Sequence, residues 1–291
     1  MTDPGTERSS MRYQEKRPAA ALRPYLECLW IVSDSRARKH RGPDRVVPDG
    51  CPELIVHLAD PFSRRLGTRW VKQPRAFLAG TLTRPWLLRA GARVLTLGLR
   101  FRPGALTAVF PVSMATMADR EVPLPALAGV GAAKALLAAL RPGPGEARRF
   151  AAAEAWLADR LRERPARQAQ ARAAVRLVLE ARGSLRMTAL ARTLGWSPRR
   201  LERLFLRDLG IQPKLYARIV RLNAVLATLD EGERAGLVDL ALDAGYFDQA
   251  HLLRDFRILA GRRPGAGSAA DGDLARHFTH PERLRALFAP G

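Results

Sequence analysis

At 291 residues and 47% apolar, the chain can bury real cores and is long enough for two domains, so a globular protein is expected. The formal net charge of +21 invites a nucleic-acid partner, but the arginine is chain-wide: residues 1 to 125 hold 21 Lys+Arg against 11 Asp+Glu, and residues 166 to 264 hold 18 against 10. Basicity alone is therefore weak support for any partner. Cys28 and Cys51 are too few for a disulfide scaffold and lack C-x-x-C spacing, which makes a reducing cytoplasm the natural compartment, with a single disulfide left open. The first residues hold no apolar signal core and no run approaches bilayer-crossing length, so a soluble, unexported chain with no membrane partner is expected.

Residues 11 to 125 read as a β-rich domain. From about Tyr25 to Arg102, short apolar runs such as LECLWIV, ELIVHL, AFLAG and RVLTLGLRF are split by Pro and Gly, with imperfect period-2 alternation. Pro48, Asp49 and Gly50 form a turn. After Pro103 the texture becomes rich in Ala and Leu. Helices are expected near Ala105 to Phe110, Ala132 to Leu140 and Gly145 to Arg164, broken by RPGPG at Arg141 to Gly145, and residues 126 to 165 read as a helical connector. An amphipathic helix from Ala166 to Arg182, with Ala174, Leu177, Val178 and Ala181 on one stripe and Gly183 at its end, opens a third region over residues 166 to 264. Residues 265 to 291 are a tail.

The third region carries an internal repeat. Leu190, Ala191 and Gly195 recur 50 residues later as Leu240, Ala241 and Gly245, whereas Leu201, Phe205, Gly210 and Pro213 recur 51 later as Leu252, Phe256, Gly261 and Pro264. One residue is thus inserted after the turn glycine, and each copy reads as a helix-turn-helix unit. In the first copy Ser197 is the expected cap and Pro198 the first helical residue; Leu201, Leu204 and Phe205 face inward, leaving Arg199, Arg200, Glu202, Arg203 and Arg207 outward. In the second copy Asp248 is the expected cap, with Leu252, Phe256 and Leu259 inward and Gln249, Ala250, His251 and Arg254 outward. Arg can reach guanine edges or phosphates, Gln can bond adenine, and Ala can meet a thymine methyl. A long helix from Pro213 to Leu229 would hold the two units about one DNA turn, roughly 34 Å, apart.

At these residues the sequence resembles the AraC/XylS family of transcription regulators. The match spans about Ala166 to Pro264 and is most specific over GYFDQAHLLRDFRILAGRRP, supported by GWSPRRLERLF and GIQPKLYARIVRL. The resemblance implies a double helix-turn-helix DNA reader with base contacts from Arg199, Glu202 and Arg203 in the first unit and Gln249, Ala250, His251 and Arg254 in the second. It implies duplex DNA at a promoter or operator as partner, with RNA polymerase, a small-molecule effector and a second copy of the chain as candidate partners. After Pro264 the chain has Gly265, Ala266 and Gly267 where the family often has an aromatic residue, a place that Phe278 or Phe288 would have to take. RVVPDGCPELIVHL and LTLGLRFRPGA resemble a recurrent N-terminal region of the same family, which implies a cupin-like sensing or dimerising domain. The implied fold class is α+β in two domains: a mainly-β N-terminal domain with a helical connector, and an all-α C-terminal reader.

Each feature also has a plainer reading. The Arg199 to Arg207 face could be an ordinary solvated surface, His251 a surface histidine, and Cys51 a buried free thiol. His40 and His57, far apart in sequence, read as a loop and a packed strand histidine, so no metal or other cofactor is expected. No G-x-S-x-G, Walker loop or metal-ligand cluster appears, so an enzyme is not expected; methyl-transfer repair proteins that use this reader need four metal ligands, and this chain has two Cys. A purely architectural DNA binder is a further alternative, against which the β-rich half argues.

Overall fold

The computed structural model describes residues 11–34, 43–140, 145–163, 171–230 and 236–264. His40, most of the RPGPG break, the start of the helix expected from Ala166, and the tail with Phe278 and Phe288 lie outside them.

Among the described residues, ten strands form the N-terminal region: β1 (Arg12–Lys16), β2 (Leu26–Asp34), β3 (Asp44–Val46), β4 (Glu53–His57), β5 (Ser63–Leu66), β6 (Arg69–Lys72), β7 (Ala76–Ala79), β8 (Trp86–Arg89), β9 (Val94–Phe101) and β10 (Glu121–Pro123). They make two antiparallel sheets, one ordered β1-β2-β9-β4-β7-β10 and one ordered β3-β8-β5-β6. The larger sheet is covered on both faces. Along β2, Leu29 and Ile31 enter one apolar core while Cys28, Trp30 and Val32 enter the other, facing the smaller sheet. A strand buried on both sides has no polar face to alternate with, which is why its sequence reads as a continuous apolar run.

The outer face of the larger sheet is closed by helices α1 (Leu106–Val109), α2 (Leu124–Ala128), α3 (Val130–Leu140) and α4 (Glu146–Glu163). Leu136, Leu140, Phe150 and Leu157 share a core with Leu29, Leu97, Leu99 and Phe101, and the Trp156 indole N–H donates to the carbonyl of Ala132 at 2.9 Å. The helices read from sequence as a connector thus pack into the sheet domain itself. Apolar area removed from water contributes about 25 cal/mol per Å², and Leu22, Phe110 and Met114 add to the same cover.

Among the described residues, the regular elements of the C-terminal region are all helices: α5 (Arg172–Glu180), α6 (Met187–Thr193), α7 (Pro198–Leu209), α8 (Pro213–Asp230), α9 (Leu237–Asp243) and α10 (Gln249–Asp255), the last continued by a wider turn over Phe256–Ala260. One core joins them, and Val47 of the N-terminal domain belongs to it. The two regions therefore meet. The Asn223 amide of α8 donates to the Pro48 carbonyl at 3.0 Å, and the Thr107 hydroxyl approaches the Asp208 carboxylate of α7 at 3.3 Å.

Candidate nucleic-acid interface

In the first unit, buried Leu190 and Ala191 seat α6 on the core, and the chain turns at Gly195, whose φ of +63° is the left-handed region that favours glycine. The Trp196 N–H returns to the Ala191 carbonyl at 2.9 Å. The Ser197 hydroxyl then accepts the Arg200 N–H at 3.2 Å and Pro198 begins α7, so an orphan donor is satisfied and proline's missing N–H costs nothing. Leu201, Leu204, Phe205 and Leu209 are buried, which leaves Arg199, Arg200, Glu202, Arg203 and Arg207 exposed. Two of these arginines are engaged by the fold: Arg200 lies over the Trp196 ring at 5.0 Å, and Arg207 grips the buried Asp208 carboxylate at 2.7 and 2.9 Å. Arg199, Glu202 and Arg203 stand on the outward face.

The second unit repeats this construction. Gly245 turns at φ +75°, the Tyr246 N–H meets the Ala241 carbonyl at 2.8 Å, and the Asp248 carboxylate accepts the His251 N–H at 2.7 Å. Leu252, Phe256 and Leu259 are fully buried; Ala250 and Arg254 are exposed, while Gln249 and His251 are half-buried. The His251 ring stands edge-on to Tyr246, centroids 5.1 Å apart, so part of its surface is committed to packing. Burial pushes the Tyr246 hydroxyl pKa up, keeping that ring neutral.

Three α8 side chains set the units against each other. Tyr216 is fully buried with its ring 5.8 Å from that of Phe205, on the inner face of α7. Arg218 donates from Nε and Nη2 to one oxygen of the buried Asp255 at 3.0 and 2.7 Å, tying α8 to α10. Arg221 donates to the carbonyls of Gly183 at 2.8 Å and Gly245 at 3.3 Å and lies over the Tyr246 ring at 5.0 Å, gripping the end of α5 and the second turn together. Sequence reading treated this stretch only as a joining helix. The available signal was Asp255, a carboxylate between the inward residues Leu252 and Phe256, which needs a cation reaching it from elsewhere.

His57 is the packed strand histidine: fully buried, with ring nitrogens 3.0 Å from the Thr96 hydroxyl and 3.2 Å from the Gln73 amide oxygen, and burial lowers its pKa to about 4. Cys28 and Cys51 are buried and not joined in a disulfide, and burial pushes the Cys51 thiol well up, away from the reactive thiolate. Among the described residues no cluster of three His, Cys, Asp or Glu could hold a metal ion, and no helix is long and apolar enough to cross a membrane.

Residues 14–123 match a domain of unknown function (DUF6597), and residues 190–267 match a helix-turn-helix domain family. No curated protein matches the chain by sequence. Among solved structures, ToxT from Vibrio cholerae O395 is similar with a TM-score of 0.41 at 7% identity, over 96% of this chain and 99% of that one. A second crystal form of ToxT from Vibrio cholerae gives 0.41 at 8% identity, over 97% and 100%. ToxT bound to (E)-4-(8-methylnaphthalen-1-yl)but-3-enoic acid gives 0.43 at 8%, over 96% and 100%. With two capped, glycine-turned units built on one core and the family match lying across both recognition helices, the carboxy-terminal region of this chain is an AraC-type helix-turn-helix domain.

Proposed function

We propose that the protein is a sequence-specific transcription regulator that reads two successive major grooves of duplex DNA, with α7 in one and α10 in the next. The observation that carries this reading is the pair of recognition helices whose apolar stripes are sunk in a common core while Arg199, Glu202, Arg203, Ala250 and Arg254 stay outside. In this reading Arg199 and Arg203 bond guanine edges or phosphates, Glu202 accepts from cytosine, Gln249 bonds adenine, Ala250 meets a thymine methyl, and His251 and Arg254 complete the second contact. The 18 residues of α8 span about 27 Å at roughly 1.5 Å each, of the order of one helical turn of DNA.

The N-terminal domain is proposed to receive a small-molecule signal. A half-open cavity, with about 500 Å³ of empty space including its mouth, lies between the sheets against Val46, Val47, Leu82, Trp86, Asp49 and Arg100. Its wall is also the turn that touches the reader. Fully buried Arg100 holds Asp49, Glu53 at 2.6 Å and Glu27 at 3.3 Å, fixing the turn from below, and a Cβ added at Gly50 would lie 2.7 Å from the Tyr216 ring. A ligand that moved Asp49 would press on Tyr216 and, through it, on Phe205 of α7. Reciprocity then requires DNA to change ligand affinity by the same factor.

Selection of the full chain against random duplexes tests the reading. Enrichment of one extended sequence, with affinity falling steeply as salt rises, is the expected result; indifferent binding to all duplexes would leave only an architectural binder.

A further inference from the structure

The two units differ by one inserted residue, and the fold shows where it went. Trp196 and Tyr246 make the same backbone return to Ala191 and Ala241, 50 positions apart, whereas the caps Ser197 and Asp248 are 51 apart. The extra residue is Phe247. It is also the most exposed large apolar side chain among the described residues, at 87%.

This exposure runs against local rules. An apolar residue just before a helix cap ordinarily packs on the fourth helical residue, here Leu252. In the first unit Trp196 occupies that position and packs, half-buried, against the core. In the second, Tyr246 takes the place in the core at 3% exposure, Leu252 is sealed beneath, and the insertion pushes Phe247 outward. The side chain lies in the turn directly before Gln249 and Ala250, at the end of the recognition helix that enters a major groove in such motifs. At that end the first unit offers Arg199 and the second Phe247, Gln249 and Ala250, while Arg203 and its counterpart Arg254 lie further along each helix.

Resting on the DNA-reading function above, we infer that Phe247 is a specificity-determining contact, packing against the 5-methyl group of a thymine in the second half-site. Apolar contact with that methyl is one of the few ways an uncharged side chain can distinguish bases in the major groove. The insertion thus gives the second unit an A·T preference that the arginine-rich first unit lacks.

The test uses the full chain and the duplex enriched by selection, with each thymine of the second half-site replaced in turn by uracil, which lacks only the methyl. The wild type should lose about 4-fold in affinity at one such position, the worth of one methyl-sized contact, and F247A should bind the thymine duplex about as weakly and ignore the replacement. A250G, run alongside, should keep the penalty at that position. Thermal stability of F247A should be unchanged, because the side chain is outside the core. If F247A retains the uracil penalty, or binds DNA normally while losing promoter output, or melts earlier, then something other than thymine covers Phe247 and the inference is overturned while base reading stands. Failure of any duplex to enrich would overturn both.

Discussion

At the scale of single residues, outward and inward side chains of one helix should fail in different ways. Arg203→Ala and Arg254→Ala are each expected to cost about 1 to 3 kcal/mol on the preferred duplex and less on random DNA, measured by binding titration, with melting temperature unchanged. Leu201→Ala and Phe256→Ala, at 2% and 0% exposure, are instead expected to destabilise the domain by about 2 to 5 kcal/mol in denaturant unfolding. His57 gives a pH signature. Its pKa is lowered from 6.5 to about 4 in the folded chain, so above pH 6.5 it is neutral in both states and contributes no proton linkage. Between pH 6.5 and 4 the unfolded chain binds a proton that the folded chain refuses, and stability falls as pH falls, by up to about 3 kcal/mol. His57→Gln should lose that part of the pH dependence; an unchanged profile in the variant would assign it to other groups.

At the scale of elements, the second repeat unit was legible because its parts are local. Asp248 followed by the stripe Leu252, Phe256 and Leu259 specifies a capped helix by short-range chemistry alone, and the structure places each as expected. Asp248→Ala is expected to cost about 1 kcal/mol through loss of the cap, and Arg218→Ala more, about 3 to 5 kcal/mol, because Asp255 would be left charged and buried without its cation. Urea unfolding of the two variants measures the difference, and equal losses would contradict the role given to Arg218. That clamp was not legible: Arg218 and Asp255 are 37 residues apart, and only the fold brings them together. The same holds for the Arg100 cluster, whose members Glu27, Asp49 and Glu53 come from separate strands and a turn. The helix expected from Ala166 is described only from Arg172, and Val175, outside the expected stripe, is buried with Ala174 and Val178. The helices of residues 126 to 165 were legible as helices but not as cover for a sheet, since their apolar face does not say what it packs on.

At the scale of the whole molecule, Pro48, Asp49 and Gly50 are legible in the sequence as a turn and nothing more, yet this turn touches α8. Gly50→Val would place side-chain atoms where Tyr216 now lies, at a residue whose φ of +86° already favours glycine. The variant is expected to bind the selected duplex with altered affinity although no DNA-facing residue has changed, while Gly67→Val, which meets nothing within 4 Å at a similar φ of +60°, serves as the control for backbone strain alone. Equal behaviour of the two would remove the turn from any role in tuning the reader. The most direct test of the central claim is hydroxyl-radical footprinting of the full chain on the duplex that selection enriches. Two protected segments about 10 base pairs apart on one face of the DNA, centre to centre, are expected from α7 and α10 entering successive major grooves. A single protected segment confined to one groove, or protection spread without register, would contradict it.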